Sequence, residues 1–113
     1  MFARNLSIQL KPNTQAEFTR TFEKDVLPLL RKQKGFQDEI AFAVPGGMDL
    51  ISISLWDNKE NAETYNTAVY AEVLKMLDKV IDGTPKVRTS DVLISTFHKI
   101  ASGPVARPVA VAV

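Results

Sequence analysis

The chain has 113 residues, a formal net charge of +1 and no cysteine. A chain of this length forms one domain and buries about two thirds of its unfolded surface, enough for a core without cross-links. Without cysteine there are no disulfides or thiolate metal sites, and the interspersed charges form no basic stripe for nucleic acid. No apolar run approaches the ~18 residues of a membrane span, and the N-terminus has no signal-peptide core. We therefore expect a soluble cytoplasmic protein without nucleic-acid or membrane partners.

The first strand and the first helix are both indicated by side-chain periodicity. Apolar and polar side chains alternate over residues 2–10, which predicts a half-buried strand. Thr14 and Glu17 have the spacing of a capping box, so we expect a helix from there to about Gln33. Its apolar stripe consists of Phe18, Phe22, Val26, Leu29 and Leu30. Pro28 removes a backbone donor inside this helix, which predicts a kink or a looser last turn.

The middle of the chain predicts a hairpin and a second helix. Apolar and polar side chains alternate again over residues 36–44 and 48–56, on either side of a Pro-Gly-Gly turn. Phe36 is expected on the same face as the later apolar residues of its strand. Asp57 and Glu60 form a second capping pattern, and a helix to about residue 81 follows. Its apolar stripe consists of Ala62, Tyr65, Val69, Val73, Leu77 and Val80.

The C-terminal part of the chain predicts a long last strand and then a tail. The strand is expected over residues 87–100, with a bend near Ser90, so that the domain covers residues 1–101. The tail, residues 102–113, contains Arg107 as its only charged side chain. We expect it to be extended or disordered, or to lie as an arm on a partner subunit.

The order of these elements is strand, helix, strand, strand, helix, strand. That order is typical of a ferredoxin-like α+β domain, βαββαβ, with a four-stranded antiparallel sheet. Two helices on one face leave the apolar side chains of the other face exposed, and exposed apolar patches of this size mark interfaces. The sequence therefore predicts a homodimer with two-fold symmetry, in which two sheets pack face to face.

Two segments carry a resemblance to a known family. Residues 30–36, Leu-Arg-Lys-Gln-Lys-Gly-Phe, join the first helix to the second strand. Residues 54–62, Ser-Leu-Trp-Asp-Asn-Lys-Glu-Asn-Ala, end a strand with tryptophan, begin a helix and are followed by Tyr65 and Tyr70. With these segments, residues 1–101 resemble the antibiotic biosynthesis monooxygenase family of dimeric α+β barrel domains. Members of that family include cofactor-free oxygenases of aromatic polyketides, quinol oxygenases, haem-degrading enzymes and many proteins of unknown function.

The resemblance argues against the haem-degrading activity. That branch uses an asparagine on the first strand, and a tryptophan and a histidine on the second helix. Asn5 resembles the asparagine, but Tyr65 stands at the tryptophan position and Lys75 at the histidine position, so the axial imidazole is missing. Asn5 keeps two interpretations, a catalytic hydrogen bond to a substrate anion or a solvent-facing strand residue.

The other candidate site residues are one histidine and four aromatic side chains. His98, the only histidine, can act as a base near pH 7 if it faces the pocket, and is otherwise a structural or surface residue. The candidate substrate-binding residues are Trp56, Tyr65, Tyr70 and Phe22. Packing in the core is the alternative for three of them, with Tyr70 at the cavity's edge. One histidine and no cysteine exclude a histidine-rich metal site within the chain.

Three functional hypotheses remain open. The resemblance implies a cofactor-independent monooxygenase, in which a deprotonated aromatic or quinol-type substrate itself supplies the electron to oxygen and no cofactor is bound. The alternative is a non-catalytic small-molecule-binding or stress-related dimer on the same fold. The third is a protein-interaction module that uses the valine-rich tail.

Overall fold

The computed structural model describes residues 1–98, which form a four-stranded sheet with helices on one face. The strands are β1 (Phe2–Gln9), β2 (Phe36–Ala43), β3 (Asp49–Trp56) and β4 (Lys86–Asp91). Their spatial order is β2-β3-β1-β4, and every neighbouring pair is antiparallel. This arrangement confirms the predicted ferredoxin-like α+β fold. None of the helices in the described part of the chain is long and apolar enough to cross a bilayer.

The first helical segment is interrupted in its middle. It consists of α1 (Gln15–Thr21), a π-helical turn (Phe22–Val26) and α2 (Leu27–Arg31). The N–H of Leu27 donates to the carbonyl of Phe22, five residues earlier. Pro28 consequently falls in the first turn of α2, where a missing N–H is tolerated. The looser turn that Pro28 predicted exists, but it precedes the proline and is not the last turn of the helix.

The capping box predicted at Thr14 is wrong. The Thr14 side chain accepts no bond from the helix. Its hydroxyl donates to the carbonyl oxygens of Lys11 at 2.7 Å and Val80 at 3.2 Å. Thr14 therefore ties the start of α1 to two loops, and the first amides of the helix are left without that cap.

The second predicted helix is in fact two helices, α3 (Lys59–Ala68) and α4 (Tyr70–Leu77). They are separated at Val69, whose φ of −128° and ψ of −30° lie outside the helical region. The N-cap is Asn58, whose Oδ1 accepts from the Asn61 N–H at 2.9 Å. The predicted cap residue, Asp57, instead accepts from the Asn61 side-chain amide at 2.8 Å.

The two faces of the sheet carry different kinds of side chain. On β3 the helix-facing residues are Leu50, Ser52, Ser54 and Trp56, all buried. Those on the opposite face, here called the open face, are Ile51, Ile53 and Leu55, which are partly or largely exposed. A β-bulge between Phe36 and Asp38 shifts β2, so Phe36 packs on Trp56 while the later apolar residues of β2 lie on the open face. The prediction that Phe36 shares their face is therefore wrong.

The last strand is shorter than its pattern predicted. β4 ends at Asp91, and the Val92 N–H then donates to the Met1 carbonyl at 2.9 Å. Residues 92–98 leave the ladder and reach β2, where His98 contacts Asp38. Because β4 and β2 are opposite edges of the sheet, this segment spans its width. The remainder of the predicted strand and the predicted tail, residues 102–113, lie outside the described residues.

Candidate functional site

Arg4 is the centre of a polar cluster between the sheet and the helices. The two-residue alternation of β1 places it on the helix-facing side, and only 2% of it is exposed. Its guanidinium carbon lies 4.5 Å from the ring centroid of Tyr70 and 5.1 Å from that of Tyr65, within cation–π range. Nη2 donates to Oδ1 of Asn66 at 2.9 Å. Burial lowers the pKa of Arg4, but a guanidinium stays protonated at neutral pH.

Glu39 supplies a carboxyl to the same layer. It pairs with Ser54 in the β2–β3 ladder, and its Oε2 accepts from the Ser52 hydroxyl at 2.5 Å. Burial raises the pKa of Glu39 from 4.5 to about 8, against the opposing effects of Ser52 and Arg4. At pH 7 the carboxyl is therefore mostly neutral. Among residues 1–98, Arg4 has no ion-pair partner within 4.0 Å.

Aromatic side chains form one wall of the cluster. Trp56, fully buried, donates its indole N–H to Ser54 at 2.9 Å and lies 4.9 Å from Tyr65 between ring centroids. Tyr65 in turn lies 6.2 Å from Tyr70. Burial raises the pKa of both tyrosines, so both hydroxyls are protonated. The Tyr70 hydroxyl is buried and has no hydrogen-bond partner within the described residues, a condition that native proteins rarely leave unexplained.

These groups line an inner cavity between the sheet and the helices. Its polar lining consists of Arg4, Glu39, Ser52, Ser54, Tyr65 and Tyr70, and its apolar lining includes Leu6, Ile8, Phe22, Val73 and Leu74. The volume is about 20 Å³, which is enough for one water molecule. The cavity thus has the polar groups of a binding site, but an aromatic ligand fits only if side chains move.

A second cavity, the outer groove, lies between α3 and β4. It is lined by Phe2, Arg4, Ala62, Glu63, Asn66, Val87 and Thr89 and has a volume of about 270 Å³. Among residues 1–98, Arg4 alone lines both the outer groove and the inner cavity. Its side chain therefore separates the two spaces.

The structure brings some of the predicted site residues together and not others. Phe22, Tyr65 and Tyr70 line the inner cavity, and Trp56 packs behind Tyr65. Asn5 pairs with Ile53 and Arg88 in the ladders, so it lies on the open face, away from the cavity.

His98 also lies away from the inner cavity. Its Nε2 is 3.0 Å from Asp38 Oδ2, at the β2 edge of the sheet. The structure thus places neither predicted catalytic residue at the cavity. Within residues 1–98, no three histidine, aspartate or glutamate side chains converge as a metal site requires.

Sequence reasoning missed the polar groups that do converge. Arg4 stands in the apolar phase of β1, between Phe2 and Leu6, and a charge in that phase is a readable signal. Glu39 gives no such signal, because the bulge after Phe36 shifts the face assignment of β2. Asn66 lies on the polar face of a helix and reaches the cluster only through Arg4.

Several solved structures share this fold. A candidate antibiotic biosynthesis monooxygenase from Bordetella bronchiseptica has a TM-score of 0.69 and 16% identity, over 82% of this chain and 97% of that one. The monooxygenase ActVA-Orf6 of Streptomyces coelicolor, solved with the ligand nanaomycin D, has a TM-score of 0.66 and 19% identity, over 83% of this chain and 92% of that one. SnoaB, a cofactor-independent oxygenase from Streptomyces nogalater, has a TM-score of 0.69 and 11% identity, over 84% of this chain and 95% of that one. No protein-family model and no curated protein sequence matches the chain.

At identities of 11 to 19%, the similarity to these structures is one of fold. Each alignment covers more than nine tenths of the compared chain, so the whole domain is shared and not a fragment of it. The fold that the sequence resemblance predicted is confirmed: the chain has the α+β fold of the antibiotic biosynthesis monooxygenases.

Proposed function

We propose that the protein belongs to the antibiotic biosynthesis monooxygenase family and oxidises a small phenolic or quinol-type substrate without a cofactor. The observation that carries this proposal is the convergence of Glu39, Arg4 and the Tyr70 hydroxyl on the inner cavity. One structure of similar fold is described as a cofactor-independent oxygenase, and a second is a monooxygenase, which supports the same class of reaction. A carboxyl, a cation and a free hydroxyl are the groups that generating and holding a phenolate requires.

Glu39 is the proposed base. A phenol has a pKa of ~10, far above that of an ordinary glutamate at ~4.3, so proton transfer to such a carboxylate is strongly uphill. The pKa of about 8 for Glu39 removes most of that difference. A base whose pKa lies near the operating pH is also the most effective general base, and the minority of Glu39 that is ionised at pH 7 is the form that takes the proton.

Arg4 is the proposed electrostatic stabiliser of the substrate anion. Its charge is held in place by Tyr65, Tyr70 and Asn66, so it need not reorganise when the phenolate forms. The Tyr70 hydroxyl has an unused donor in the same cavity and would hydrogen-bond the phenolate oxygen.

The oxidation then needs only the substrate anion and oxygen. The phenolate gives one electron to O₂, and the resulting phenoxyl radical and superoxide combine at a ring carbon that carries hydrogen. The peroxide anion takes the proton back from Glu39, and the resulting hydroperoxide loses water and leaves a carbonyl, so that phenol and O₂ become quinone and water. The protein binds the ring, excludes water and holds the anion.

Substrate binding requires the inner cavity to widen, because its present volume is that of one water molecule. Tyr70 and Leu74 are the partly exposed residues of the α4 wall. Tyr70 also begins α4 directly after the break at Val69, so its backbone has fewer helical bonds to lose. We place the opening at this wall.

We also propose that the protein is a two-fold homodimer. Ile40, Phe42 and Ile51 lie on the open face and are 39%, 52% and 46% exposed. A contiguous apolar patch of this kind marks an interface, and an identical patch on a second copy would cover it.

Oxygen uptake by the chelator-treated protein on a panel of hydroquinones and anthrone-like phenols tests the oxygenase proposal. Glu39→Gln should lower the uptake rate above autoxidation by about 10²- to 10⁴-fold, the range for loss of a general base. Tyr70→Phe should also lower it, while protein stability stays equal or rises, because the change removes a buried hydroxyl without a partner.

Asn5→Ala is the matched comparison, since Asn5 lies on the open face. Uptake that is lost in Asn5→Ala but retained in Glu39→Gln would contradict the proposed base and restore the sequence-based assignment. No uptake by the wild-type protein across the panel would favour the alternative, a non-catalytic small-molecule-binding dimer. The outer groove, at about 270 Å³ the larger of the two spaces, is the observation that favours that alternative.

A further inference from the structure

The outer groove has a chemistry of its own. Its floor is apolar, formed by side chains of Phe2, Ala62 and Val87. Its polar groups come from Arg4 on β1, Asn66 and Glu63 on α3, and Thr89 on β4. The groove is larger than the inner cavity, at about 270 Å³, and lies just below the ~300–1,000 Å³ range of drug-sized sites. A one-ring molecule is the size of ligand that it suits.

The charge balance around the groove favours an anion. Arg4 is buried, and within residues 1–98 no carboxylate lies within ion-pair distance of it. A buried charge without a partner is costly, and a bound anion would remove that cost. Glu39 is the carboxyl that interacts electrostatically with Arg4. It lines the inner cavity and not the groove, and it is mostly neutral at pH 7.

Donors are available for such an anion. A guanidinium has five N–H groups in a planar fork that matches a carboxylate. Asn66 accepts from Arg4 through Oδ1, so its own amide N–H groups are free to donate, and Thr89 adds a hydroxyl.

Glu63 limits the charge that the groove can take. Glu63 is one of the lining residues, and its carboxylate pairs only loosely with Lys59, at 3.9 Å between two exposed side chains. A second negative charge on the ligand would be repelled by Glu63, which disfavours phosphate dianions. A monoanionic carboxylate meets Arg4 with less of this repulsion, because it carries one negative charge and not two.

We propose that the outer groove is a binding site for a one-ring carboxylate, with the ring on Phe2 and Val87 and the carboxylate on Arg4. This site shares Arg4 with the inner cavity but lies on the other side of that side chain, and ligand binding there does not depend on oxygenase turnover.

Titration of the isotopically labelled full-length protein with benzoate, followed by amide NMR, tests the site. Benzoate should shift the amide resonances of α3 and β4 saturably. Benzyl alcohol, a neutral analogue of similar shape, should bind at least about tenfold more weakly, since a buried charge pair contributes more than 1.4 kcal/mol. Val87→Trp should abolish the benzoate shifts, because the larger side chain fills the groove. The variant should still fold, since Val87 is exposed on the edge strand.

Glu63→Gln provides a variant that should strengthen binding. Removing this exposed carboxylate should tighten benzoate binding about two- to fivefold and leave benzyl alcohol unchanged, while the matched Glu72→Gln, on α4 outside the groove, changes neither. Equal affinity for benzoate and benzyl alcohol, or benzoate binding that Val87→Trp and Glu63→Gln do not alter, would overturn the proposal. Since no turnover is measured, the result is separate from that of the oxygen-uptake experiment.

Discussion

Arg4 and Glu39 show how two ionisable side chains can share a buried layer without forming a salt bridge. Arg4 keeps its charge, because a guanidinium does not deprotonate near neutral pH, and two tyrosine rings solvate it. Glu39 instead keeps its proton up to about pH 8, because burial acts on it more strongly than Arg4 and Ser52 do. The layer consequently holds a net positive charge at pH 7, which suits it to negative ligands.

The raised pKa of Glu39 predicts a specific pH dependence of stability. Between pH 4.5 and about 8, the carboxyl ionises in the unfolded chain but not in the folded one, so the unfolded state binds fewer protons and stability falls. Above about pH 8 both states are ionised and the cost is constant. Glu39→Gln lacks this cost, so its free energy of unfolding should rise relative to wild type from pH 5 to pH 8 and then level off.

Urea unfolding of both proteins at several pH values between 5 and 9 measures this difference. Glu17→Gln, at an exposed position on α1, controls for the loss of a negative charge. Parallel pH curves for wild type and Glu39→Gln would contradict the assignment of the raised pKa to Glu39.

At the scale of elements, the interruption of the first helical segment keeps its apolar stripe on the core. The buried residues of this segment are Phe18, Phe22, Val26 and Leu30, four residues apart. On an α-helix of 3.6 residues per turn, each four-residue step advances about 40° beyond a full turn, so such a series drifts off the core. The π-helical turn at Phe22–Val26 holds more residues per turn and reverses the drift.

The break at Val69 has a comparable effect on the two tyrosines. Five residues apart on an unbroken helix, Tyr65 and Tyr70 would point about 140° away from each other. With the helix interrupted, both rings face Arg4. The break at Val69 therefore allows both tyrosine rings to contact the Arg4 guanidinium.

Gly35 offers a sharp test of how α2 is joined to β2. Its φ is +83°, and an added Cβ would overlap Asp57 Oδ1 and the Asn61 side chain. Gly46 has a φ of +71° but open space around it. Gly46→Ala should therefore cost only the backbone strain of about 1–2 kcal/mol, whereas Gly35→Ala should cost about 1–3 kcal/mol more through the clash. Urea unfolding measures both, and equal losses would show that the contact with Asp57 and Asn61 is unimportant.

The strands, the order of the elements and the helical stripes could be predicted because each depends on local periodicity. The open face of the sheet and the position of Trp56 followed from the same alternation. The site could not be predicted in this way, because a bulge decides the face of Glu39 and a helix break decides the direction of Tyr70. Neither irregularity has a distinctive residue type, since both depend on tertiary packing.

At the scale of the whole molecule, the proposed homodimer predicts that a charge on the open face separates the subunits. Ile51→Glu places a carboxylate in the centre of the apolar patch, and the variant should be a folded monomer where wild type is a dimer. Thr64→Glu, on the exposed surface of α3, should leave the mass unchanged. Light scattering with circular dichroism measures mass and folding, and a wild-type monomer, or a dimer that survives Ile51→Glu, would contradict the proposed interface.

The position of β1 in the sheet has a consequence for synthesis of the chain. Of the four strands in residues 1–98, β1 is made first, yet it lies between β3 and β4, and β4 is made last. Until residues 86–91 have left the ribosome, one side of β1 presents unpaired backbone groups, the feature through which nascent chains aggregate. A charge that points inward from the middle of such a strand discourages pairing with foreign strands. Arg4 is such a charge, so we expect it to discourage aggregation of the nascent chain before it has a cavity to line.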